Sequence, residues 1–309
     1  MSRRRLRVAT RASALARAQT ALVIDLLRDA AGAQASDLDV EALLVETTGD
    51  RNTEAEIWQL GGRGVFVKEV QSAVLDGRAD LAVHSAKDLP SGEMPGLVIA
   101  AVPERADPRD ALVGSALDDL PPGARVGTGS IRRRAQLAWV RPDLTFSGLR
   151  GNIGTRMAKA PGFDAIVVAA AALARLGRLD EAAELLDPSI MLPQVGQGAL
   201  AVECRSDDSE VRDLLALIDH PPSSRAVAAE RAFLAVLGGG CDLPVGAYAT
   251  VGTDGRTVDL TGLIASGDGR IVLRHSAQGD DGQALGRDVA RHLLDRAGGQ
   301  ALLEEVAIN

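Results

Sequence analysis

Apolar residues fall into short unbroken runs separated by segments of helical periodicity, the pattern of buried strands alternating with amphipathic helices. Strands are expected at 5–9, 40–45, 81–83, 97–102, 125–127, 145–147, 164–169 and 200–204. Leu15, Ala18, Leu22 and Leu26 recur at helical spacing behind Ser13, a natural N-cap, and Val67, Val70 and Val74 do so ahead of Gly77, a natural helix stop. Further helices are expected at 131–140, closed by Pro142, in an alanine-rich stretch that carries Arg175 and ends at Gly177, and at 211–218. The pattern then changes. A helix at 224–237 leads to three strands near 245–250, 257–265 and 270–275, joined by turns at Asp254-Gly255 and Asp268-Gly269, and a last helix at 284–297 follows. That order implies α/β lobes followed by a small α+β domain.

The charged, proline-bearing run 103–110 and the glycine-bearing run 194–198 read as chain crossings, and His220-Pro221-Pro222 reads as a linker. Three domains are therefore expected: 1–103 with 197–219, 104–196, and 220–309. The stretch from about 47 to 64 has little periodicity and reads as a long mobile loop, of the kind that is functional or disordered in a compact domain.

A net charge of -8 and 2% aromatic residues argue against a nucleic-acid binder. No apolar run of membrane-spanning length follows the basic N-terminus, so a cytoplasmic chain with no membrane partner is expected. Two cysteines cannot make a disulfide framework or a cysteine-rich metal site, and no metal is expected. Cys204 lies within an apolar strand and reads as a core thiol. Cys241 follows three glycines, Gly238 to Gly240, which would let it approach another group closely; a glycine-rich helix stop is the bland alternative.

Candidate chemistry concentrates at residues 81–90, where an apolar strand runs into His84, Ser85, Lys87 and Asp88. Open α/β sheets place ligands at such strand ends, so Asp88 is the first catalytic candidate, with a core histidine beside solvated loop charges as the alternative. Basic residues number 34, of which only Lys68, Lys87 and Lys159 are lysines. Arginines recur where strands turn into helices: Arg11 with Ser13, then Arg132, Arg133 and Arg134 behind Thr128 and Ser130, then Arg150 and Arg156. Arginine forks at positive helix ends suit a ligand with several anionic groups, and three adjacent guanidinium groups repel one another unless an anion is present. Neither a Walker A nor a dinucleotide glycine pattern occurs, which favours a polycarboxylate. An ionised Asp88 would steady positive charge developing in that ligand. A two-lobed carboxylate-binding or effector-sensing module without chemistry would use the arginines equally well, but gives no reason for Cys241.

These motifs resemble the porphobilinogen deaminase (hydroxymethylbilane synthase) family along essentially the whole chain. The matching stretches are 9–13, 61–69, 82–90, 104–110, 127–133, 149–156, 195–198 and 239–241. The resemblance implies two periplasmic-binding-protein-like α/β lobes with two crossings and a small α+β C-terminal domain built on a three-stranded antiparallel sheet. It implies a transferase that joins four porphobilinogen molecules head to tail, releases ammonia at each step and frees hydroxymethylbilane by hydrolysis. It further implies a dipyrromethane cofactor on Cys241 through a thioether, with Asp88 stabilising the cation left when ammonia departs. Ser85, Lys87, Thr128, Ser130, Arg132 and Arg133 correspond to cofactor contacts. Arg11, Ser13, Arg150, Arg156 and Arg175 correspond to contacts with substrate and chain carboxylates, a role Lys87 shares. A monomer is expected. Arg63 stands where the family's loop more often has lysine, and Gly129 where serine is common.

Overall fold

The computed structural model describes residues 4–32, 38–47, 67–239 and 243–308. The elements run β1 (Arg4–Arg11), α1 (Ala14–Ala31), β2 (Leu38–Val45), α2 (Lys68–Leu75), β3 (Leu81–Ser85) and β4 (Leu97–Ala101). They continue with β5 (Asp110–Val113), β6 (Arg125–Gly127), α3 (Ile131–Val140), β7 (Thr145–Ser147), α4 (Ile153–Lys159), β8 (Ala165–Ala169), α5 (Ala170–Arg175) and β9 (Glu184–Leu185). Then come β10 (Leu200–Arg205), α6 (Ser209–Ala216), α7 (Pro221–Leu237), β11 (Val245–Val251), β12 (Val258–Ala265), β13 (Val272–Gly279), α8 (Gly282–Arg291) and α9 (Gly299–Ile308). The chain forms two compact units, 1–105 with 199–224 and 106–198 with 225–309.

The first unit holds a five-stranded sheet ordered β2-β1-β3-β10-β4. Strands β1, β2 and β3 run parallel, whereas β10 lies antiparallel to both β3 and β4. One face packs Val23, Ile24 and Leu27 of α1 and Val211 and Leu215 of α6 against Leu6, Val8, Leu81, Val83, Val202 and Cys204. The other packs Val70, Ala73 and Val74 of α2 against Ala9 and Ala82. Helix α1 therefore buries a neighbouring stripe to the one its leucines suggest. Gln19 and Thr20 are buried with Val23, Ile24 and Leu27, while Leu22 is exposed. The apolar count favoured the leucines, but the end of β3 supplies a hydroxyl partner for Gln19, described below.

The second unit repeats the device. Its sheet is ordered β7-β6-β8-β5-β9, with β6, β7 and β8 parallel and β5 antiparallel to β8 and β9. In both sheets the fourth strand is antiparallel and adjoins a chain crossing. β5 and β9 were not expected: Ala111-Leu112-Val113 is an apolar triplet, but it directly follows the charged run that reads as a crossing, and β9 has two residues. The antiparallel sheet β11-β12-β13 packs one face on α7, α8 and α9 through Phe233, Leu285, Val289 and Leu302. Its other face meets Ala135 of α3 and Leu192 through Leu263 and Ala265.

The expected linker at 220–222 is helical instead: Pro221 and Pro222 form the first turn of α7, where a missing N–H costs nothing because first-turn donors lack intrahelical acceptors. The last expected helix, 284–297, is α8 continued by a π turn at His292–Arg296, and α9 beyond it is a further helix that was not expected.

Candidate functional site

In the first unit the end of β3 is anchored on both faces of its sheet. Alternation along the strand puts Ser85 on the α1 side, where Gln19 Nε2 donates to Ser85 Oγ at 2.8 Å. It puts His84 on the opposite side, where Nε2 lies 3.0 Å from Glu203 Oε2 of β10. Gln71 of α2 donates to the same carboxylate at 2.9 and 3.1 Å. His84 and Glu203 are only 6% and 5% exposed. His84 Nε2 lies within ion-pair distance of the carboxylate but makes no hydrogen bond among the described residues, so His84 is a buried histidine held against Glu203 by proximity. A 3-10 turn over Ala86–Asp88 follows, pinned by the buried Leu89, and presents Asp88 to solvent.

Arg11 ends β1, and Ser13 caps α1 by accepting from Ala16 N–H at 3.2 Å. Arg11, Ser13, Gln19, His84, Ser85 and Asp88 line one pocket. Four of the sequence-derived residues thus share a site: Arg11, Ser13, Ser85 and Asp88. Lys87 sits on the same turn and is partly buried.

In the second unit Ser130 caps α3, and Thr128 Oγ1 accepts from Ser130 N–H at 3.2 Å. The three arginines that follow diverge, as helical geometry requires. Arg134 turns outward to the carbonyl of Gly267. Arg132 and Arg133, 3% and 5% exposed, turn inward onto Asp110, which is wholly buried. Arg132 Nη2 lies 2.8 Å from Asp110 Oδ2, and Gln197 Nε2 donates to Oδ1 at 3.0 Å. Burial opposes ionisation of Asp110, but the guanidinium groups of Arg132 and Arg133 outweigh it and hold the carboxyl at about 2. The anion demanded by adjacent arginines is thus partly internal. Asp110 went unnoticed in the sequence because it lies in a charged run that reads as solvated crossing, although the need for a counter-ion pointed to some such residue.

One carboxylate against two guanidinium groups leaves one positive charge over. Arg132 Nη1 donates to Leu192 O at 2.7 Å, while its buried Nε has no acceptor among the described residues. Arg132 also lines a pocket with Ser130, Gln194, Val195, Leu243 and Val245. Leu243 is two residues beyond Cys241, which lies outside the described residues, as does the loop segment 48–66 with Arg63. Arg175 at the end of α5 donates to the carbonyl of Gly198 at 2.6 Å, and burial lowers its guanidinium to about 10. Arg156 donates to Gly151 O at 2.8 Å, and Arg150 is partly buried just before Gly151. Cys204 is buried in β10 and its thiol is pushed up to about 11 by burial, as expected of a core cysteine.

Residues 6–213 match the family model described as porphobilinogen deaminase, dipyromethane cofactor binding domain, and residues 224–295 match the porphobilinogen deaminase C-terminal domain. The porphobilinogen deaminase of Brevibacillus brevis is 47% identical over 308 residues, covering 98% of each chain. That of Acidothermus cellulolyticus is 49% identical, covering 97% of this chain and 91% of its own. Among solved structures, an arginine-specific periplasmic binding protein of Salmonella typhimurium covers 69% of this chain and 90% of its own, at 12% identity and a TM-score of 0.36. With family models spanning both units, and relatives near half identity from end to end, the chain belongs to the porphobilinogen deaminase family.

Proposed function

We propose that the chain catalyses the family's reaction: four porphobilinogen molecules are joined head to tail with release of ammonia, and hydroxymethylbilane is freed by hydrolysis. It is then a transferase of tetrapyrrole synthesis. Family membership supports the activity. The observation that carries the site is Arg132, a buried guanidinium with surplus charge and a donor left over, lining a pocket beside Ser130. An anionic ligand fits that donor set, and a dipyrromethane with acidic side arms is one.

When bound, the cofactor supplies the pyrrole end to which substrate units are added. In the second unit Thr128 and Ser130 offer hydroxyl donors, Arg132 a charge-assisted donor, and Arg133 fixed positive charge; Cys241 provides the thioether sulfur. In the first unit Ser85 and Lys87 take cofactor contacts. Arg11 and Ser13 orient a substrate carboxylate in the pocket that Asp88 lines. Asp88 carries negative charge where the substrate pyrrole becomes cationic on losing ammonia, and so lowers the barrier to that step. Arg150, Arg156 and Arg175 hold carboxylates of the growing chain. The second unit divides further into domains near 104–196 and 220–309, and the enzyme works as a cytoplasmic monomer, a state that sedimentation velocity would test. Among the described residues no helix is long and apolar enough to cross a membrane. A carboxylate-binding module without chemistry has no observation in its favour.

Intact mass is the deciding measurement. Active protein should weigh more than its sequence by one dipyrrole, and Cys241→Ser should lose that increment together with turnover. An active preparation with the bare sequence mass would end the proposal.

A further inference from the structure

Glu203 is a carboxylate in an otherwise apolar strand, with Val202 and Cys204 on either side packed into the core. Burying it costs several kcal/mol unless it is partnered, and apolar residues of similar volume would serve packing as well or better. The sheet register explains whom it meets. In the antiparallel β3–β10 pair Ala201 faces His84 and Glu203 faces Ala82, so all four side chains share the α2 side of the sheet. Glu203 thereby reaches His84 along the diagonal and Gln71 from the helix above. Two elements, α2 and β3, thus close on a carboxylate carried by a third.

The other side of the same strand end is fixed independently by Gln19 on Ser85, and the backbone is fixed by Ala86 N–H donating to Ala199 O at 3.0 Å. Immediately beyond this doubly held stub comes the turn that carries Asp88. Asp88 itself has no hydrogen bond or ion pair to any described residue, so its placement rests on the backbone beneath it. From this arrangement we infer that the Gln71–Glu203–His84 cluster is a positioning device for Asp88, with His84 the positioning residue and Glu203 the clamp that holds it. The inference rests on the role given to Asp88 above.

His84→Gln and Glu203→Gln, made in the full-length holoenzyme, should lower kcat by about tenfold to a hundredfold, the scale of a displacement of order 1 Å. KM should stay within about twofold and the dipyrrole mass increment should remain. The decisive arm places His84→Gln in an Asp88→Asn background. If His84 acts through Asp88, it should reduce the residual rate no further; a merely structural role would lower both backgrounds alike. Gln71→Met, which loosens the clamp and leaves both ionisable groups in place, should lower kcat by about threefold to tenfold, and it decides the matter should the other variants not fold. A wild-type kcat in Gln71→Met or His84→Gln, or equal losses in both Asp88 backgrounds, overturns the inference. Inactivity of the wild type, or full activity of Asp88→Asn alone, would instead strike at the proposed function.

Discussion

Arg133 holds Asp110 through two donors on one carboxylate oxygen, Nε at 3.0 Å and Nη2 at 2.7 Å, which leaves the other oxygen to Arg132. A single buried anion therefore organises the helix start where the sequence displays three cations. Arg133 spends its remaining terminal nitrogen on Val167 O at 2.8 Å and is locked in place, whereas Arg132, which lines a pocket, keeps a buried Nε with no acceptor among the described residues.

Asp110→Asn should be costly, because it leaves two buried guanidinium groups without their counter-ion; a loss of about 3–5 kcal/mol is expected in urea unfolding at neutral pH. The pH dependence has a definite sign. The folded carboxyl lies at about 2, below its ordinary 3.8. Its contribution of roughly 2 kcal/mol is therefore complete above the ordinary value and is lost as pH falls through about 2. Stability measured from pH 5 to pH 2 should fall less steeply in Asp110→Asn than in wild type. Parallel curves would show that the carboxylate is not held ionised by the pair.

Glu230 of α7 is wholly buried and accepts from two backbone amides, Gly196 N–H at 2.7 Å and Ala249 N–H at 2.9 Å. It thus ties the return crossing to β11. Glu230→Gln keeps the shape but turns an amide NH2 toward one of those N–H donors, so one backbone donor loses its acceptor. A loss of about 1–3 kcal/mol is expected. Thermal unfolding of the variant at an unchanged midpoint would refute this account of the crossing.

Much of this was legible in residue order. Short apolar runs located most strands, since a buried strand needs only a few consecutive apolar residues, and Ser13 and Ser130 cap the helices their positions suggest. Asp88, Ser85, Arg11 and Ser13 were each readable as residues at strand ends and their turns, but only the pairing of β1 with β3 brings them into one pocket. Buried polar residues were harder. Gln19, Gln71, Gln197 and Glu230 lie in segments that read as ordinary polar faces or turns, and what buries them is a partner distant in sequence. Glu203 was the exception that could have been caught, since a lone carboxylate inside the run Leu-Ala-Val-Glu-Cys requires a buried partner. The α7 prolines misled for a local reason: Pro breaks a helix interior and yet suits its first turn.

Gly198 sits at the crossing with φ +86°, and a Cβ there would lie 2.4 Å from Ala106 O. Ala106 N–H also donates to Gly198 O at 3.2 Å, so at this point the two crossing segments touch backbone to backbone, beside the Gln197 side chain that donates to Pro108 O at 2.8 Å. Gly198→Ala must push the segments apart and also occupy a left-handed conformation, a strain of order 1–3 kcal/mol. Because Arg175 rests on the same carbonyl, the variant should show weaker substrate saturation as well as a lower unfolding midpoint. Wild-type values of both would mean that the crossing relaxes freely.

The two cysteines offer a chemical test of the proposed attachment that does not depend on turnover. Cys204 is buried, and burial pushes its thiol up to about 11, so at pH 8 only about one molecule in a thousand carries the reactive thiolate even before access is considered. Iodoacetamide should therefore leave Cys204 unmodified in the folded protein. If Cys241 is committed to a thioether, folded holoenzyme should take up no label on the timescale that modifies a free surface cysteine. After denaturation in urea the same preparation should take up one label, at Cys204 alone. Cys241→Ser should behave identically under both conditions while lacking the dipyrrole mass. Two labels in denatured, fully active wild type would mean that the sulfur of Cys241 is free, and attachment through that residue would have to be abandoned whatever the kinetics of the other variants.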